Sequence, residues 1–126
     1  MAHALGYLLV FIGGGLGAVA RHGINRAGLA LLGPGFPWWT MAVNVAGSFA
    51  IGFLAGLFGA WETGHNLRLF LITGVLGGFT TFSAFSLDAL TLWQRGAFQD
   101  AGLYVLGSVI LSLLSAVVGL MVTRAL

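Results

Sequence analysis

Four stretches of this sequence carry no charged side chain: Ala4 to Ala20, Trp38 to Trp61, Leu69 to Leu87, and Ala101 to Thr123. They run 17, 24, 19 and 23 residues. A bilayer hydrocarbon core about 30 Å thick takes roughly 20 helical residues to cross. Each stretch therefore reads as a transmembrane helix, the first with help from its flank. Composition agrees. Only 6% of the 126 residues are charged, against roughly 25% in a soluble domain, and a chain this short has a large surface for its volume. Eight charged side chains cannot solvate that surface in water. The 21 glycines fit as well, since glycine is commoner in membrane helices than in soluble ones.

The connections are short. Gly33-Pro34-Gly35-Phe36-Pro37 is a turn with two helix stops, and Glu62 to Asn66 and Arg95 to Asp100 read as polar turns. Trp38, Trp39, Trp61 and Trp93 sit at segment ends, where an aromatic belt would place them. The first stretch lacks the basic start of a signal peptide and reads as a span. The expectation is an all-α membrane protein, one domain over residues 1–126, with helices roughly at 4–31, 38–60, 67–94 and 100–124. Arg21, where the uncharged stretch stops, is expected at a helix end, free to snorkel.

Arginine placement bears on orientation. Arg21, Arg26 and Arg95 fall on one side of the membrane; Arg68, Arg124 and the amino terminus fall on the other. The positive-inside rule then gives almost no instruction. Such a chain can insert both ways, and two copies can pair antiparallel about a twofold axis. Four helices leave little room for a pathway through one copy, and twofold dimers are the commonest assembly.

Several chemistries are disfavoured. Without cysteine there is no disulfide framework or thiolate metal site. His3, His22 and His65 all lie near segment ends, and no serine has a histidine within a helix turn. No basic stripe suggests nucleic acid. A proton-coupled pump wants an ionisable group in mid-membrane, and Asp88 is the only acid near a span. The sequence reads as a non-enzyme.

The polar residues inside the spans admit two readings each. In the third span, Gly77-Gly78 followed by Thr80-Thr81 are poor helix formers. A mid-membrane break there would free backbone groups for an ion; alternatively Gly74 and Gly78 serve close helix packing. Phe82 and Phe85 share a helical face and could turn their positive edges to an anion, or face lipid or core. Tyr104, Ser108 and Ser112 recur every four residues as a hydroxyl stripe, either a hydrogen-bonding track or back-bonded to their own helix. Asn44, inside the second span, could donate to an anion or staple helices together. Arg21 could concentrate anions at a pore mouth or pair with Asp88.

Three motifs, GGLGAVAR at 14–21, TMAVNVAGSFAIG at 40–52 and GVLGGFTTFSAF at 74–85, resemble those of the Fluc (CrcB) family of bacterial fluoride channels. The resemblance covers the whole chain. It implies passive export of fluoride across the bacterial cytoplasmic (inner) membrane by an antiparallel, dual-topology homodimer. It implies a third helix broken near 77–80 and a central, structural Na⁺ held there by main-chain carbonyls of Gly77 and Thr80 from both subunits. It assigns the fluoride pathway to Asn44, Phe82, Phe85, Tyr104, Ser108 and Ser112, with Thr81 assisting, and gives Arg21 an architectural role. Ala84, His22 and Asp88 depart from residues common in the family. Two competing classes remain. A four-helix drug/proton antiporter would need an acid in its first helix, and Ala4 to Ala20 has none. A non-transporting membrane scaffold subunit would carry no ion flux at all.

Overall fold

The computed structural model describes residues 2–60 and 64–126. Trp61 and the Glu62–Thr63 part of the second expected turn lie outside the described residues. Helix α1 spans Ala2–Leu32 and α2 spans Trp38–Ala60. A third run begins with α3, His65–Arg68, and widens into π-type turns over Leu69–Leu76. It continues as α4, Gly77–Phe79, and α5, Phe82–Gln94. Helix α6 spans Phe98–Ala125. Among the described residues, four helical stretches are long and apolar enough to cross a membrane: His3–Leu32, Trp38–Gly59, His65–Gln94 and Phe98–Ala125.

The helix ends are set by local chemistry. Gly33, with φ +75°, closes α1 by returning its N–H to the Leu29 carbonyl at 3.0 Å. Pro34 and Pro37 then prevent resumption until Trp38. Gly96, with φ +78°, closes α5. Its N–H bonds to Trp93 O, and the Ala97 N–H reaches Leu92 O at 2.9 Å, the double bond of a Schellman cap. The Arg95 guanidinium donates to Gly35 O at 2.8 Å and locks the two turns at the same end of the bundle. At the other end Arg68 donates to Phe58 O at 2.7 Å, near the carboxyl end of α2, where a cation is favoured.

One expected placement and two expected boundaries shift. Arg21 is not near a helix end, because α1 runs on for eleven residues beyond it. No proline, and no glycine with positive φ, intervenes before Gly33. His65 and Asn66, expected in a turn, open α3. Phe98 to Asp100 form the first turn of α6 rather than a loop, since the Gly96 cap already reverses the chain.

Packing joins the helices in two parallel pairs, α1 with the third span and α2 with α6. In lipid, apolar surface alone does not drive helices together; close packing by small residues does. Gly17 of α1 lies against the backbone of Val75 and Phe79, and Gly78 against Gly14. Gly119 of α6 lies against the carbonyl of Phe49, and Gly52 of α2 against that of Ala116. Any Cβ at these four positions would overlap a facing backbone atom. The Ser115 hydroxyl adds a 2.8 Å bond across the second pair, to Val45 O.

Between Phe79 and Phe82 the third span leaves helical geometry for two residues. Thr80 (φ −86°, ψ 155°) and Thr81 (φ −151°, ψ 119°) are extended. Asn44 of α2 accepts the Thr81 N–H at 2.8 Å on Oδ1 and donates from Nδ2 to the Thr81 carbonyl at 3.0 Å. One primary amide thus replaces both intrahelical partners of one residue. The Thr81 hydroxyl caps α5 by accepting the Ala84 N–H at 3.1 Å. The Arg21 Nε donates to the Gly78 carbonyl at 3.1 Å. These contacts position α5 and everything it carries.

Gly119→Ala should lower the melting temperature of the purified protein by an amount reflecting about 1–3 kcal/mol of overpacking. Gly107→Ala, whose Cβ would sit 3.5 Å from the Met41 methyl, should leave it near the parent value; equal shifts would contradict the packing described. Asn44→Ala leaves two backbone groups unpaired and should cost about 1–3 kcal/mol for each in denaturant unfolding, with Asn44→Asp, which keeps an acceptor, intermediate.

Candidate functional site

The start of α5 faces α2 and α6 across a cleft of about 290 Å³. Asn44 and Ser48 of α2, Phe82 and Phe85 of α5, and Ser108 and Ser112 of α6 line it. These residues are spread over nearly seventy positions of sequence and meet because the Thr80–Thr81 step, stitched to Asn44, aims α5 at this gap. The two phenyl rings are 5.5 Å apart and tilted by 56°. They differ in surroundings: Phe85 is buried, whereas Phe82 is 78% exposed in the single chain. One side of the cleft is therefore open.

The polar groups fall into those already committed and those not. Asn44 has both amide atoms on Thr81, with one N–H of its Nδ2 in hand. The Thr81 hydroxyl is spent as the cap of α5 and also lies 3.3 Å from the Ser83 hydroxyl. The Ser108 hydroxyl is buried, with no hydrogen-bond partner among the described residues. A buried hydroxyl without a partner is costly, and this one stands on a residue that lines the cleft. Ser112 follows one turn further along α6. The sequence reading did not single out Ser48; the Asn44–Ser48 spacing of four was the available signal.

Tyr104 belongs to the same stripe as Ser108 and Ser112 but does not line the cleft. It is fully buried, packed 5.2 Å from the Phe85 ring and edge-on to Phe36 at 5.5 Å. Its hydroxyl donates to Asp88 Oδ2 at 3.0 Å. Asp88 is thus tied to Tyr104. The expected alternative pairing of Arg21 with Asp88 is not found, because Arg21 is held on Gly78 O. Tyr104, Asp88 and Phe85 form one packed unit behind the cleft wall.

Gly77 and Thr80 line a separate hollow of about 240 Å³ with Gly47, Ser48, Ile72 and Leu76. The Thr80 N–H and hydroxyl both go to Leu76 O, at 3.0 and 2.9 Å, and the Ala84 N–H, four residues on, goes to the Thr81 hydroxyl rather than to the Thr80 carbonyl. Thr81 gives its N–H to Asn44 instead of to Gly77, four residues back. The carbonyls of Gly77 and Thr80 therefore lack helical partners. Such an all-oxygen donor set suits a hard cation, as unwound carbonyls do in transporters. Two carbonyls from one chain fall short of the roughly six oxygens such an ion takes. No group of three or more His, Cys, Asp or Glu gathers elsewhere among the described residues.

The profile of a family described as CrcB-like protein, Camphor Resistance (CrcB), matches residues 8–120. A Rhodopseudomonas palustris protein is 54% identical over 122 residues, covering 95% of this chain and 98% of its own. Paracoccus denitrificans has one 53% identical over 120 residues, covering 95% of each chain. A Mesorhizobium japonicum protein is 50% identical over 119 residues, covering 94% of this chain and 96% of its own. All three are named fluoride-specific ion channel FluC. With a profile match over most of its length and relatives at about half identity across nearly all of it, this chain belongs to the CrcB-like family.

Proposed function

We propose that this protein is a passive, fluoride-selective channel of the bacterial cytoplasmic membrane, working as an antiparallel homodimer. The observation that carries the reading is the cleft at Asn44, Phe82, Phe85, Ser108 and Ser112, which combines neutral donors with phenyl rings and holds no ionisable side chain. The names of its close relatives support it.

Stripping a small anion of water costs tens of kcal/mol unless other donors replace it. Here the Ser108 and Ser112 hydroxyls and the free Asn44 N–H donate in turn, and ring edges supply a weak positive field between them. Several weak sites in series let the ion leave as well as enter. No lining residue can carry a proton across, so flow is downhill. Fluoride enters a cell as HF, dissociates near neutral pH and is trapped as the anion; the inside-negative potential then drives it outward. Asp88 and Tyr104 support the wall through Phe85, and the hydroxyl of Tyr104 joins the track only if it leaves Asp88.

The open side of the cleft at Phe82 is where the second subunit supplies the missing wall. The near balance of arginines allows that subunit to be inverted. In the dimer, the Thr80–Thr81 step is a functional break. Gly77 and Thr80 carbonyls of both subunits would hold a Na⁺ on the axis, whose charge stabilises the freed carbonyls. Its role is structural.

Proteoliposomes loaded with fluoride and read with a fluoride electrode should show efflux, which Phe82→Ile should slow by about tenfold or more. Chloride efflux matching that of fluoride would sink the selectivity. The dimer should melt at a higher temperature in Na⁺ than in N-methylglucamine, in the manner of any ligand that binds only the folded state. Identical melting in both buffers would remove the cation from this scheme.

A further inference from the structure

The end of the bundle that carries the Gly33–Pro37 loop holds two further clefts that share no lining residue with the one at Asn44. One, of about 620 Å³, is walled by Phe36, Trp38, Met41 and Leu103, with Asp100 among its lining. Its size lies within the range of small-molecule sites, about 300–1,000 Å³. The other, of about 560 Å³, follows the groove between α1 and α2 along Ile24, Ala27, Trp39 and Ala42 and has no charged residue in its lining. The two are adjacent, with Leu32 and Trp38 in the lining of both.

Charge is placed at only one end of this composite cleft. Asp100 stands exposed in the first turn of α6. Arg95 is also exposed, and its guanidinium rests on the carbonyl of Gly35, itself a lining residue of the first cleft. Asp100 thus lines a pocket whose walls include the Phe36 and Trp38 rings, 4.5 Å apart, and the Arg95 guanidinium, held on Pro34 O and Gly35 O, stands beside its Gly35 edge. The Trp93–Phe98 pair at the same end marks the level of the membrane–water interface. A pocket flanked by one acidic and one basic side chain, beside a purely apolar groove, matches the zwitterionic head and acyl chain of a phospholipid.

We infer that this cleft is a specific site for one phospholipid with an ethanolamine headgroup. The ammonium pairs with Asp100 and lies over the aromatic faces. The phosphate takes the donors of Arg95 that the loop leaves over. An acyl chain fills the α1–α2 groove. A glycerol headgroup offers Asp100 no cation, and a choline headgroup has no N–H to give it.

Native mass spectrometry of the detergent-purified protein tests this, with phosphatidylethanolamine, phosphatidylglycerol and phosphatidylcholine of matched chains at equal concentration. The wild type should retain the ethanolamine lipid about fivefold over either other lipid, as expected for one partly exposed, N–H-donating ion pair with Asp100. Asp100→Asn should erase the preference while leaving the oligomeric mass unchanged. N-acetylation of the lipid amine should erase it on the wild type, a test that needs no variant. Equal retention of the native and N-acetylated lipids by the wild type would overturn the assignment. So would efficient disulfide cross-linking of Ala27→Cys between copies, which would show that protein, not lipid, fills the groove.

Discussion

Everything at the centre of this molecule depends on one primary amide. A helix that stops and restarts within a membrane exposes backbone groups that lipid cannot satisfy. Here Asn44 accepts from the N–H and donates to the carbonyl of Thr81, at 2.8 and 3.0 Å. Arg21 takes the Gly78 carbonyl, and the Thr81 hydroxyl caps the restarting helix. Only with these contacts in place can α5 begin where it does, and only then do Phe82 and Phe85 face the serines of α6. The carbonyls of Gly77 and Thr80 are the groups this arrangement leaves over.

The rest of the bundle serves that geometry. The amide reaches Thr81 because α2 and the third span lie close, with Gly47 against the Thr80 methyl. That approach in turn needs two tightly packed pairs, α1 with the third span and α2 with α6, each with glycine facing a backbone carbonyl. In lipid such contacts do much of the work that apolar burial does in water. Arg95 and Arg68 fasten the two ends of the bundle through backbone carbonyls. Arg21, Arg68 and Arg95 are all used as donors to main-chain carbonyls.

Much of the site was legible in the sequence, and the limits are instructive. The spacing of Ser108 and Ser112 put both on one face of α6, and both line the cleft. Tyr104 shares that spacing, yet its ring is drawn into the core by Phe85 and Phe36, and its hydroxyl by Asp88. Spacing gives the face of a helix, but a large side chain reaches a neighbour that spacing does not name. Asn44 had two readings, donor or staple. It makes the staple with both atoms and still lines the cleft, so the alternatives were not exclusive. Ser48, four residues from Asn44 on α2, lines the same cleft, and only that spacing marks it in the sequence. The apolar stretch stops at Arg21, but α1 runs on to Leu32, close to its expected limit at residue 31, so the charge sits inside the helix.

The sequence by itself determined the solvent, the number of spans and the absence of ionisable groups along most of their length. These follow from hydropathy and length, which are local properties and need no partner. It also marked the third span as a poor helix former at its glycine and threonine pairs. Only the tertiary structure decided what that weakness becomes. Whether freed backbone groups are tolerated depends on a donor and an acceptor arriving from another helix, and Asn44 lies thirty-seven residues away from Thr81. The cleft, likewise, exists only once α2, α5 and α6 are in register. A hydrogen bond between distant residues is fixed by packing, and packing is not written in any one segment.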